Sequence, residues 1–178
     1  MLLGLGQETD RGGDGVQVSV FDVSDPTRPV LDARRYLDSS YSAAERDPHA
    51  FLWWQPRGLA IIPVQQYSAG AGFDGEVVFR VGADGSLVER GRISQPDQTR
   101  PQPQPGPEGQ GSGTAPGTPG AEPVRPVDGT MMAPAYSPGI ERALIVGGLI
   151  YTVSDSGILA TDADSLVRVA WLPFPPGQ

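Results

Sequence analysis

One local pattern, a strand, a short turn of Asp, Gly and Ser, and a second strand, occurs three times in this chain. It reads VFDVSDPTRPVLDARRYL from Val20, VFRVGADGSLVERGRI from Val78 and LATDADSLVRVAWLPF from Leu159. An apolar pair of strands stands in front of the second copy, in AFLWWQPRGLAIIPV, and of the third, in IERALIVGGLIYTVSDS. The chain therefore divides into units of four antiparallel strands, the first lacking its opening strand. A lone four-stranded sheet cannot bury both of its faces, and an internal repeat of about 40 to 45 residues with four strands marks blades stacked around an axis. Closure of such a ring takes about four to eight blades. This chain is expected to be all-β: a partial β-propeller of about two and a half to three four-stranded antiparallel blades, belonging to a larger propeller or needing partners.

Composition refines this division. The sequence holds 24 glycines and 19 prolines, many of them in the tract QPDQTRPQPQPGPEGQGSGTAPGTPGAEPVRP from Gln95. Such a tract has too few aliphatic residues to offset the entropy of ordering it, so a disordered linker is expected at 95–139. It separates the incomplete first blade and complete second blade, 1–94, from a last blade at 140–178. A net charge of −8 argues against nucleic acid or an anionic membrane as partner. The absence of cysteine removes disulfides and thiolate chemistry. No apolar run approaches the roughly 18 residues of a spanning helix, and the opening MLLGLGQETD has no basic region of the kind that precedes an export signal.

Few residues suggest chemistry. His49 is the only histidine, at the head of HAFLWW, where a strand is expected over Ala50 to Trp54. A nucleophilic arrangement would need it to meet a serine such as Ser40 or Ser42 and a buried aspartate, and the spacing does not speak for one. A ring hydrogen-bonded to a loop carbonyl or a neighbouring blade is the preferred reading. Calcium could be held near Asp10 and Asp14, at Asp155, or by Asp162 and Asp164, but no stretch completes a calcium loop and all suit tight turns. No metal or cofactor is expected. In FDVSDPTRP the chain leaves a strand at Val23, turns through Ser24, Asp25 and Pro26, and re-enters at Pro29, which assigns Asp22 and Asp25 to a turn. Tyr41, Tyr67, Trp53 and Trp54 could form an aromatic surface. Successive strand residues face opposite sides, so Trp53 and Trp54 cannot share one inter-blade layer; one could be partly exposed, although burial of both between blades is preferred.

The order VSVFDVSDPTRP, HAFLWWQPRGLAIIPV and IERALIVGGLIYTVSDSGILATDADSLVRVAWLPF resembles the closing blades of secreted bacterial proteins that carry a C-terminal β-propeller distantly related to WD-type repeats. That resemblance implies an exported or envelope-attached binding platform without established catalytic residues, and makes a histidine at position 49 part of the blade motif. The expected function is a non-catalytic scaffold that binds a protein or small ligand at the propeller rim, with His49, Trp53, Trp54 and Tyr41 as binding candidates. The remaining blades or another chain would be its structural partners; a cytoplasmic location is the alternative. Two other functional readings stand beside it. One is a fragment of a hydrolase or lyase that pairs His49 with Asp22 or Asp47; the other is a calcium-stabilised adhesion module.

Overall fold

The structure is a computed structural model, and it describes residues 1–8, 15–67, 72–95 and 139–175. These belong to one compact unit. The linker expected at 95–139 lies outside the described residues, apart from Gln95 and Gly139. The rest forms three antiparallel sheets in chain order. Sheet I has three strands, β1 (Leu2–Glu8), β2 (Gly15–Asp22) and β3 (Val30–Asp38). Sheet II holds β4 (Ser40–Tyr41), β5 (Leu52–Trp54), β6 (Leu59–Gln66), β7 (Phe73–Val81) and β8 (Leu87–Ile93). Sheet III runs β9 (Arg142–Val146), β10 (Leu149–Ser154), β11 (Gly157–Asp162) and β12 (Arg168–Pro173). Among the described residues no helix is long and apolar enough to cross a membrane.

Alternation in the central sheet builds two cores. Ala60, Ile62 and Val64 of β6, with Val77, Phe79 and Val81 of β7, meet Val16, Val18, Val20 and Leu37 of sheet I. Leu59 and Ile61 of β6, with Val78 and Ile93, meet Ala143, Ile150 and Leu159 of sheet III. A period of two along each strand is what lets one sheet serve both layers. The continuous apolar run of β6 is the sequence mark of a strand buried on both faces.

The opening strand of sheet II departs from expectation. It is broken into β4, which pairs with Gln65 and Gln66, and β5, which pairs with Leu59 to Ile61. Between them the chain leaves the sheet through two 3-10 turns, Ala43–Glu45 and Pro48–Ala50. Ala50 therefore belongs to a turn and not to the strand expected there. Ser42 caps the first turn with Glu45 answering its amide, and Asp47 caps the second with proline next in line. Pro63, which has no amide hydrogen to offer, lies opposite the gap in β6. Ser40 fastens sheet I to sheet II: its hydroxyl donates to the Leu37 carbonyl at 2.5 Å and accepts the Val16 amide at 3.0 Å. Gly58 has φ +58° where β6 begins, and a Cβ there would stand 2.5 Å from the Val81 carbonyl oxygen. Only glycine meets both conditions without strain.

Polar groups enter the layer between sheets II and III. Gln95 is buried; its amide donates to the Thr152 carbonyl at 3.0 Å, and its oxygen accepts from the hydroxyls of Ser154 and Ser156. Glu76 is fully buried on the same face of β7 as Val78, and neither carboxylate oxygen has a hydrogen-bond partner among the described residues. Burial, with the nearby charge of Asp74, raises its pKa well above the ordinary glutamate value. Below that ordinary value both folded and unfolded chains carry a neutral acid and the group costs least. As pH rises, the unfolded chain ionises first, so stability falls until the folded pKa is passed. Glu76→Gln, measured by urea unfolding from about pH 4 to pH 8, is expected to match the wild type at the acid end and to exceed its stability increasingly toward the alkaline end.

Candidate functional site

The three turns that follow β2, β7 and β11 are equivalent, and each contains an aspartate that accepts from a following serine. Asp22 Oδ1 takes the Ser24 amide at 2.8 Å, Asp84 Oδ1 the Ser86 amide at 3.1 Å, and Asp162 Oδ1 the Ser165 amide at 2.8 Å. In each turn the serine hydroxyl adds a second bond to the aspartate. Asp25 does the same with Thr27, through hydroxyl and amide. These hydrogen bonds hold all four carboxyls below the ordinary aspartate pKa, the backbone bond leading at Asp22 and Asp162 and the hydroxyl leading at Asp25 and Asp84. Asp22 and Asp25 are thus turn acceptors, and the structure records no contact between Asp22 and His49. Asp164 pairs with Arg57, whose guanidinium lies 5.2 Å from the Trp54 ring centre. Asp10 and Asp14 lie outside the described residues.

The segment between β4 and β5 gathers the remaining candidates. Asp47 caps the Pro48–Ala50 turn by accepting the His49 amide at 2.9 Å, and His49 Nδ1 stands 3.0 Å from the same oxygen. Arg142, at the start of β9, reaches the other carboxylate oxygen at 3.3 Å. The His49 amide contributes most to lowering the Asp47 pKa, followed by the His49 ring and then by the Arg142 charge. The imidazole is 80% exposed and bonds a carboxylate, not the loop carbonyl or neighbouring blade expected for it. Ser40 and Ser42 are committed elsewhere, the first between sheets and the second to the Ala44 amide at 3.2 Å. The arrangement is an acid–base pair in water whose carboxylate also serves as a helix cap.

The aromatic candidates separate. Trp53 packs against the core of sheets I and II, and Trp54 against the core of sheets II and III, both half-buried. Tyr41 is exposed at the end of β4 and meets Tyr67 edge to face, with ring centres 6.1 Å apart. Beside the β4–β5 segment lies a groove of about 170 Å³ that no single motif predicted. One wall is Leu3, Gly4 and Leu5 of β1; the other is Ala44, Pro48 and Phe51. Gln7 of β1 also reaches this segment, donating to Glu45 at 2.7 Å. The capping signature Ser42-Ala43-Ala44-Glu45 and the pair Asp47-Pro48 were the available signals for this segment.

Asp47→Ala removes the cap and the Arg142 contact together. Amide hydrogen exchange at Ala50 and Phe51 is expected to accelerate while exchange in β6 and β7 stays unchanged. Equal acceleration in the core strands would show instead that the segment unfolds only with the whole domain.

The comparisons with known proteins accord with this architecture. Searches of curated proteins and of solved structures return no match. A family model described as beta propeller domain matches residues 1–114, which takes in sheets I and II. With well over half of the chain matched and stacked antiparallel sheets in place, the chain belongs to the beta propeller domain family.

Proposed function

We propose that this chain is a non-catalytic part of a larger β-propeller and serves as a scaffold that binds a protein or small ligand at its rim. The observation that carries this reading is the outward face of sheet III. Ala143, Ile150 and Leu159 point into the core, so Leu144, Tyr151, Val153 and Ile158 alternate to the other side, joined by Val146 and Leu172. Leu144 is 52% exposed, Val146 63% and Leu172 62%. A contiguous apolar sheet face of this kind calls for cover, and in a propeller the cover is the next blade. The exposed Tyr41–Tyr67 pair and His49 supply rim groups suited to ligand contact. Export to the envelope or medium belongs to the same reading, through the resemblance to secreted propeller proteins.

The chain alone is expected to associate, or to bind an anilinonaphthalene sulfonate dye. The double variant Leu144→Lys with Leu172→Lys is expected to reduce either signal several-fold without lowering the melting midpoint. A wild-type chain that sediments as a monomer at about 100 µM and binds no dye would remove the argument for missing blades.

The His49–Asp47 contact favours a second reading, a hydrolase or lyase fragment with this pair as acid and base. Turnover of a chromogenic ester or glycoside, lost in His49→Ala at unchanged melting, would establish it. A wild-type chain inert toward both would leave the scaffold alone.

A further inference from the structure

The face of sheet II that looks toward sheet III does not stay apolar to its end. On β6 it runs Leu59, Ile61, Pro63, Gln65, and on β7 it runs Val78, Glu76, Asp74 toward the same end. Residues directly opposite in an antiparallel pair share a face, so Tyr41 on one side of Gln65 and Asp74 on the other stand in one row. Tyr67, two residues beyond Gln65, donates its hydroxyl to the Gln65 oxygen at 3.2 Å, and the Gln65 amide donates to Asp74 at 3.3 Å. Exposure falls along this line, from exposed Tyr67 and Tyr41, through half-buried Gln65 and Asp74, to Glu76, which is fully buried.

The chain of hydrogen bonds stops short of Glu76. Neither of its oxygens meets a donor among the described residues, and the charge that acts on it is the negative one of Asp74. Protonation removes the charge but leaves bonds unmade, because an acid O–H needs an acceptor and its carbonyl a donor. Pro63, directly opposite on β6, has no N–H to give and presents an apolar ring. Across the layer, the Thr152 carbonyl and the Ser154 hydroxyl are bonded to Gln95. Gly139 lies beside the row, and a Cβ there would stand 3.0 Å from the Gln65 side-chain nitrogen and 4.0 Å from Asp74 Oδ1.

We propose that this row is a binding site for an alkylammonium group, its stem lying along Tyr67, Tyr41 and Pro63 and its nitrogen between Asp74 and Glu76. An ammonium brings three N–H donors and a positive charge. It gives Glu76 the donors that no described residue supplies and relieves the repulsion between two neighbouring carboxylates. Tyrosine rings attract a cation and cover its methylenes. Two residues along a strand span about 6.6 Å, so the step from the tyrosine row to Glu76 suits a four-carbon stem. Entry runs past Gln65 and Gly139, which has no side chain to bar it. A metal ion fits less well: calcium takes about six to eight oxygens, and the described residues gather no three of His, Cys, Asp and Glu. The net charge of −8 draws cations toward the chain. The same group comes on a free amine or on a lysine side chain of a protein. This site deepens the rim-binding reading, on which it rests for Tyr41 and Tyr67, by naming what the rim takes.

The probes are n-butylammonium chloride and the peptide N-acetyl-Gly-Lys-Gly-amide, each titrated into the full chain and followed by amide chemical shifts. Saturable shifts are expected at Gln65, Asp74 and Glu76, with midpoints below about 10 mM. Similar midpoints for the two probes assign a free amine, and clearly tighter binding of the peptide assigns a lysine of a protein; both results support the site. n-Butanol has the same stem without the charge and should give no saturable shift. Glu76→Gln, expected to fold at least as well as the wild type, should weaken binding at least tenfold. Tyr41→Ala should weaken it several-fold at an unchanged melting midpoint, and each variant keeps the test decisive should the other misfold. No saturation by either amine up to about 50 mM, equal shifts with n-butanol, or undiminished binding by Glu76→Gln would overturn the proposal. None of these measurements involves Leu144 or Leu172, so failure here is distinguishable from failure of the scaffold reading.

Discussion

Sheet II must be covered on both faces, and the rest of the structure follows from that requirement. β6 opens Leu59-Ala60-Ile61-Ile62-Pro63-Val64, apolar at each of these six positions, and its side chains divide between two layers one residue apart. Sheet I covers one side and sheet III the other. A register slip of one residue would exchange the two sets and bring Leu59 and Ile61 against a surface shaped for Ala60 and Ile62. The same logic applies to the outer sheets, each of which packs on sheet II with one face among the described residues. Family membership supplies the natural answer, since blades cover one another around a ring.

The shared geometry of the three turns has a simple physical basis. After β2, β7 and β11 a carboxylate accepts the amide and hydroxyl of a nearby serine, and this closes the turn before the next strand begins. A carboxylate engaged in this way is stabilised in its charged form and contributes to folding above the ordinary aspartate pKa, an effect lost as pH falls through the lowered one. Glu76 is opposite, buried with no hydrogen-bond partner among the described residues and favoured as the neutral acid. Asp and Glu residues of one small fold therefore pull its pH dependence in opposite directions.

Much of the architecture was legible from local pattern. Short apolar runs bounded by Asp, Gly and Pro gave the positions of the long strands, and the repeat gave their grouping. β4 was not legible, because two residues, Ser40 and Tyr41, have no periodicity to display. Ala50, the last residue of the second 3-10 turn, reads as the start of a strand because it and Phe51 are apolar, although Asp47-Pro48 carries a capping signal. Trp53 and Trp54 were legible as residues of opposite faces, but which layer each entered depended on the neighbouring sheets.

The candidate site divides along the same line. Sequence alone determined the β-class and the three hairpins with their turn aspartates, since these depend on residues close along the chain. Only the tertiary structure joined Arg142 to Asp47 across nearly one hundred positions, set Leu3 and Leu5 opposite Phe51, and left Leu144, Val146 and Leu172 of sheet III exposed among the described residues. Those relations arise from packing one sheet on another, and packing is decided by surfaces that no single segment of the sequence contains.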